Sequence, residues 1–228
     1  MTSEILTAIR QNGFAFIRGW RESESLLDVA ASLGKVVDVE RLYQQRVPTV
    51  QTLMPHLVEE SNPHRYSGVF GLGDFPLHTD LAHWSRPPRY FILRARVGSE
   101  SVSTNLLSSA AVLTLVPSNI VRRALTRPRQ WGMNQPHCLL PLIFSVKGVT
   151  GIRWDSVFLI PVNEPCREVA YAMSKAVWDR ADLQTFKLSD PGDTLIVDNW
   201  RNLHGRSKVP HSALGRRIER LYLSELEL

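Results

Sequence analysis

The chain has 228 residues, 43% hydrophobic and 21% charged, which is enough to bury a real core and too apolar to leave the chain disordered. No apolar run nears the roughly 18 residues of a bilayer span, and MTSEILTAIRQNG has the pattern of an amphipathic helix with Glu4 in place of a signal sequence, so the expected location is the cytoplasm with no membrane partner. The net charge of +5 is spread over short arginine clusters (Arg122-Arg123, Arg127 with Arg129, Arg216-Arg217) without a helix-turn-helix, finger or RNA-binding signature, which argues against nucleic acid as a partner.

In chain order, Ser3 to Gln11 has helical spacing of apolar residues and stops at Gly13, and GFAFIRGW then alternates as a strand does. Ser23 is the expected cap of a second helix, SESLLDVAASLG, with Gly34 as its stop. The short strands VVDV and VPTVQTL follow among polar loops. Beyond FPLHTDLAHW, the turn SRPP leads to RYFILRARV, a strand of aromatic and branched residues. VSTNLLSS predicts another strand running into a helix, SAAVLTLV, closed by Pro117, and Ser118 is the expected cap of NIVRRALT. CLLPLIFSV and GIRWD predict strands with Gly148 and Gly151 as turn residues between them. Pro165 opens CREVAYAMSKAVWDRAD, where Val169, Met173, Ala176 and Val177 share a helical face. TFKLSDPGDTLIVDNWRNLHGRSK and RRIERLYLSEL complete the chain as strand, turn, strand, loop, strand. Cys138 and Cys166 lack the close spacing of a thiolate metal site or redox pair and are expected to be buried thiols. The pattern predicts a strand-rich α+β fold built on a sandwich or barrel, in one domain over residues 1–228, since a doubly wound sheet would need regular strand-helix alternation.

His78 and Asp80 in FPLHTDLAHW occupy alternate positions, so in an extended segment both side chains leave one face and can reach one ion. His204, in the loop after the strand ending at Val197, is the candidate third ligand. Two histidines and one carboxylate on one face of a divalent ion leave adjacent positions open, as non-haem Fe(II) oxygenases require. A histidine near an acid is by itself equally consistent with a core hydrogen bond. Beyond His204, however, come Arg216 and Arg220, four residues apart in a strand pattern and therefore on one side. A guanidinium is the natural partner of a carboxylate, here the distal carboxylate of an iron-bound 2-oxo acid.

With these residues in place the sequence resembles the taurine dioxygenase and clavaminate synthase-like superfamily of Fe(II)/2-oxoglutarate-dependent oxygenases. PLHTDLAHWSRPPRYFILRA resembles its metal block, SESVSTNLLSS stands where a threonine binds 2-oxoglutarate, and PGDTLIVDNWRNLHGRSKVPHSALGRRIERLYL resembles its terminal block. The resemblance implies a double-stranded β-helix (jelly roll) with flanking helices, Fe(II) on His78, Asp80 and His204, and 2-oxoglutarate on Thr104 and Arg216 with Arg220 assisting. Arg217 is the rival of Arg216. O2 is the co-reactant, and the expected outcome is hydroxylation of a small molecule such as an amino acid or its derivative, releasing succinate and CO2. In GIRWDS, Arg153 and Asp155 are candidates for a substrate carboxylate and amine, and His83, Trp84 and Arg86 for the mouth of the site. Asn199 and Trp200 are expected to support the metal-bound imidazole. Trp131, His137 and the remaining histidines are taken as structural. Asp80 argues against a halogenase, Ser101-Val102-Ser103 replaces the family's usual glycine pair, and the chain is shorter than common members. Two alternatives stand beside this reading: an oxidative nucleic-acid demethylase, and a non-catalytic binding protein on the same fold. Oligomeric state is left open.

Overall fold

A computed structural model describes residues 2–39, 47–129, 138–176 and 181–227. Helix α1 (Thr2–Asn12) buries Ile5, Leu6 and Ile9, and Gly13, with φ at 81°, turns the chain into β1 (Phe14–Ile17). Helix α2 (Leu26–Ala31) is capped by Ser25 and not by Ser23: the Ser25 backbone is extended, and its hydroxyl accepts the Asp28 N–H at 3.1 Å. Gly34 opens β2 (Gly34–Val36) where a helix stop was expected. The chain continues through β3 (Gln51–Leu53), α3 (Tyr66–Phe70), β4 (Phe75–His78), β5 (Tyr90–Val97), β6 (Ser103–Ser108), α4 (Ser109–Leu113) and α5 (Ser118–Arg123). Ser118 is already helical, and no side chain caps α5. The predicted helix NIVRRALT ends at Arg123 because Leu125–Pro128 are drawn off as β7.

Strands β8 (Leu140–Pro141) and β9 (Ile143–Val146) divide the expected strand CLLPLIFSV, and β10 (Val149–Ile152) precedes β11 (Leu159–Pro161). Gly148, with φ at 79°, makes the β9–β10 turn as expected, whereas Gly151 lies inside β10. A Cβ on Gly151 would stand 2.6 Å from the Phe144 ring, so the position needs glycine for close packing and not for a turn. Helix α6 (Glu164–Ala176) buries Val169 and Met173; the side chain of Ala176 and the whole of Val177, like Trp131 and His137, lie outside the described residues. Strands β12 (Gln184–Lys187), β13 (Thr194–Asp198), β14 (Asn202–Arg206) and β15 (Arg217–Leu226) complete the chain. Cys166 is buried and Cys138 exposed, so one of the two expected buried thiols faces solvent.

The fold is a strand-rich α+β arrangement. A six-stranded antiparallel sheet runs β1-β13-β5-β15-β2, with β3 also on β15, and a four-stranded antiparallel sheet runs β12-β6-β14-β4. Alternation sorts their side chains into layers. Phe91, Leu93, Leu195, Val197, Ile218 and Tyr222 of the larger sheet meet Leu106 and Phe186 of the smaller one. Tyr90, Ile92, Ile196 and Leu221, on the other face, receive α1 and α2, while Leu77, Leu107 and Leu203 back onto α4, α5 and α6. No helix among the described residues is long and apolar enough to cross a membrane. Leu106 is 1% exposed between the sheets, so Leu106→Ala should cost about 3 kcal/mol of unfolding free energy in urea titration. A loss below about 1 kcal/mol would mean that the two sheets do not share this core.

Candidate metal centre

The antiparallel pairing of β4 with β14 places His78 directly opposite His204. Their ring centroids are 4.3 Å apart. Asp80 lies just past the end of β4, with its Oδ1 3.8 Å from His78 Nε2 and its Oδ2 3.7 Å from His204 Nε2. One atom from each residue falls within 4.8 Å of the others, and all three residues are buried. Thr79, between the two expected ligands, points the other way and is tied to Trp154: its N–H and hydroxyl donate to the Trp154 carbonyl at 2.8 and 3.1 Å, and it accepts the Trp154 N–H at 2.8 Å. His78 and Asp80 therefore share a face, as alternation requires.

Backbone anchors hold Asp80 where no strand continues. Asn199 accepts the Asp80 N–H at 2.9 Å and donates to the carbonyls of Asp80 and Pro88, both at 3.0 Å. Leu81 follows in the left-handed region, φ 54°, and turns the chain away. From the facing sheet, Arg220 Nη1 donates to both Asp80 oxygens at 2.9 and 3.0 Å, and its Nη2 donates to Gln51 Oε1 at 2.8 Å. Burial acts to raise the Asp80 pKa, but Arg220, the two imidazoles and the Tyr222 hydroxyl together hold it below the usual carboxylate range. Arg220 is raised in return: burial opposes its charge, and Asp80 outweighs burial.

The donors suit a divalent ion. His78 turns Nδ1 to the Pro76 carbonyl at 2.8 Å, which makes that nitrogen the protonated one and leaves the Nε2 lone pair toward Asp80. His204 is pushed down to about 3, first by burial and then by His78, so its ring is neutral and its lone pair available. Arg216 is 7% exposed, and its guanidinium makes no hydrogen bond or ion pair among the described residues. Burial alone lowers it to about 10. It lies near enough to Arg206 for the two cations to repel, and Arg206 stands opposite buried Thr104 on β6. A buried cation without a counter-anion is an anion site.

Several expected roles change. Strand β15 begins at Arg217 and its register slips between Arg217 and Ile218, so the same-side argument linking Arg216 with Arg220 does not hold along a regular strand. Arg217 is exposed and cannot rival buried Arg216. Arg220 Nη1 and Nη2 are taken up by Asp80 and Gln51, while its buried Nε has no partner among the described residues. Arg153 is 1% exposed and donates to the carbonyls of Ala82 and Trp84 at 2.9 and 2.5 Å and of Ser85 at 3.0 Å, so it holds the loop after the metal block and is closed to a substrate carboxylate. Asp155 is also buried, accepting the N–H groups of Val157 and Phe158 at 2.8 Å each, and burial raises its pKa. His83 packs on Phe158 at 5.2 Å, and burial lowers it to about 4. Asn199 and Trp200 support the carboxylate segment and not an imidazole, since Trp200 Nε1 donates to Pro87 at 3.0 Å. Sequence reasoning missed Gln51 and Tyr66. Gln51 stands opposite Arg220 in the β3–β15 register, and the Tyr66 ring stacks on His78 at 4.2 Å.

Two imidazoles and a carboxylate converging between two sheets are the donor set of a non-haem metal enzyme. The chain belongs to the taurine catabolism dioxygenase TauD, TfdA family, whose model matches residues 2–130. The family is one of dioxygenases. The match takes in His78, Asp80 and Thr104 and ends before His204. No curated protein matches the sequence. Similar solved structures include an asparagine oxygenase in complex with Fe(II), 2S,3S-3-hydroxyasparagine and succinate, at 18% identity and TM-score 0.75 over 97% of this chain and 78% of that one. PvcB from Pseudomonas aeruginosa is similar at 18% identity and TM-score 0.69, over 98% and 80%. OrfP, with Fe, succinate and (3S)-hydroxy-L-Arg, gives 19% and 0.61 over 98% and 78%. At these identities the likeness is one of fold.

Asn199→Ala removes three buried hydrogen bonds around Asp80 and should cost about 2–3 kcal/mol in stability and weaken Fe(II) binding in anaerobic titration. Unchanged stability and affinity would show that Asp80 needs no such clamp.

Proposed function

We propose that His78, Asp80 and His204 hold Fe(II), that Thr104 and Arg216 bind 2-oxoglutarate, and that the enzyme hydroxylates a free amino acid or an amino-acid-derived metabolite. The observation that carries this is the meeting of three donor atoms, one each from His78, Asp80 and His204, within 4.8 Å; buried Arg216, without an ion-pair partner among the described residues, supports an anionic co-substrate. The facing sheets are read as a double-stranded β-helix, or jelly roll, in a single domain spanning residues 1–228. The free thiols Cys138 and Cys166 suit a reducing cytoplasm, which we take as the location.

Bound Fe(II), with 2-oxoglutarate and O2, supplies the oxidation of an unactivated C–H bond, and succinate and CO2 are the co-products. The protein's own residues prepare that chemistry. His78 and His204 offer neutral nitrogens, and Asp80 offers the one anionic oxygen, kept ionised and oriented by Arg220. Arg216 pairs with the distal carboxylate of 2-oxoglutarate, and Thr104 donates its hydroxyl to the same co-substrate. Phe91, packed on His204 at 4.4 Å, and Tyr222, at 1% exposure, keep water from the inner wall.

An amino-acid substrate is supported by the asparagine oxygenase and OrfP, whose structures hold hydroxyasparagine and hydroxy-L-Arg. The binding-protein alternative is not favoured because the donor set is complete, and the demethylase is not favoured because the similar structures hold amino-acid products. The test is substrate-stimulated succinate release over the free amino acids, with mass spectrometry for a gain of one oxygen. His78→Ala should abolish coupled turnover. Arg216→Met should raise KM for 2-oxoglutarate about 30-fold or more, the loss expected for one partner of a buried charge pair. Wild-type coupling in His78→Ala, or an unchanged KM in Arg216→Met, would remove the corresponding assignment.

A further inference from the structure

His78 packs against two rings: His204 at 4.3 Å, and Tyr66, its centroid 4.2 Å away and its plane within 27° of the imidazole. The bond from Nδ1 to the Pro76 carbonyl favours one rotation of the imidazole about Cβ–Cγ, and the stacked Tyr66 ring restrains that rotation further, which keeps Nε2 toward Asp80.

Tyr66 is itself held from several directions. Its ring packs against Phe75 at 5.4 Å, Phe70 at 5.8 Å and Phe158 at 6.0 Å. Its hydroxyl is buried and has no hydrogen-bond partner among the described residues, so the ring is held by aromatic packing alone.

We propose that Tyr66 is a positioning residue that holds the His78 imidazole in the orientation needed for metal binding, with Phe70, Phe75 and Phe158 setting the Tyr66 ring. This rests on His78 being an iron ligand. Groups that orient metal ligands typically change affinity by 10-fold or more when removed. Tyr66→Leu, which deletes the ring, should raise the Fe(II) dissociation constant about 10-fold in anaerobic titration. Tyr66→Phe, which keeps the ring and removes only a hydroxyl without a partner, should leave it within about 2-fold of wild type.

A second readout does not depend on turnover. In the Co(II)-loaded protein, the hyperfine-shifted exchangeable Nδ1 proton of His78 should move in Tyr66→Leu and stay in place in Tyr66→Phe. Wild-type Fe(II) affinity and an unmoved His78 proton in a folded Tyr66→Leu protein overturn the proposal. Should Tyr66→Leu not fold, Tyr66→Met, which fills more of the space without a flat ring, decides: a shifted proton supports the role, and an unmoved one overturns it. His78→Ala is titrated alongside. If it too binds Fe(II) as wild type does, the iron assignment fails; if it loses the metal while the variant that lacks the Tyr66 ring matches wild type, only the positioning role fails.

Discussion

The cross-strand register that sets His78 opposite His204 is the constraint on which the centre depends. Side chains on a strand alternate with a period of two, so a slip of one residue between β4 and β14 would send one imidazole to the opposite face of the sheet. The register is fixed by what lies behind it: Leu77 and Leu203 flank the two histidines on the opposite face and are buried under α4, α5 and α6. The packing of the helical layer and the meeting of the two imidazoles are thus one requirement on the same two strands.

Asp80 has no such support, because the strand ends before it. Three unrelated elements supply its position: Asn199 at the end of β13 grips its backbone, Leu81 bends the chain away, and Arg220 crosses from the larger sheet to its carboxylate. The charges then favour a particular kind of ligand. Arg220 balances the single negative charge of Asp80, Arg216 is a further buried cation, and a divalent ion would add two more positive charges. A dianionic co-substrate offsets most of that excess, and a neutral one would leave Arg216 buried and uncompensated.

Much of this was legible in the sequence, for a physical reason. His78, Asp80 and the long strands RYFILRARV and RRIERLYLSEL follow from alternation, which local sequence carries directly. Arg216 is buried and Arg217 exposed, a difference that the spacing alone did not carry. What could not be read was decided by tertiary contact. Leu125 to Pro128 left a helical pattern because β8 and β11 offered strand partners. Arg153 was expected to face substrate, yet in the fold its guanidinium is surrounded by the carbonyls of residues 82–85. Tyr66 lies in a segment without clear periodicity, and nothing local distinguishes a tyrosine that stacks on a ligand from one that fills a core.

The central claim, that one ion is shared by His78, Asp80 and His204 with a dianion reaching Arg216, is tested most directly by an anaerobic crystal structure with Fe(II) and 2-oxoglutarate. The account predicts iron at about 2.0–2.2 Å from His78 Nε2, an Asp80 carboxylate oxygen and His204 Nε2, the range usual for such ligands. It also predicts the distal carboxylate within hydrogen-bond distance of the Arg216 guanidinium. Iron bound elsewhere, or 2-oxoglutarate with its distal carboxylate away from Arg216, would contradict it.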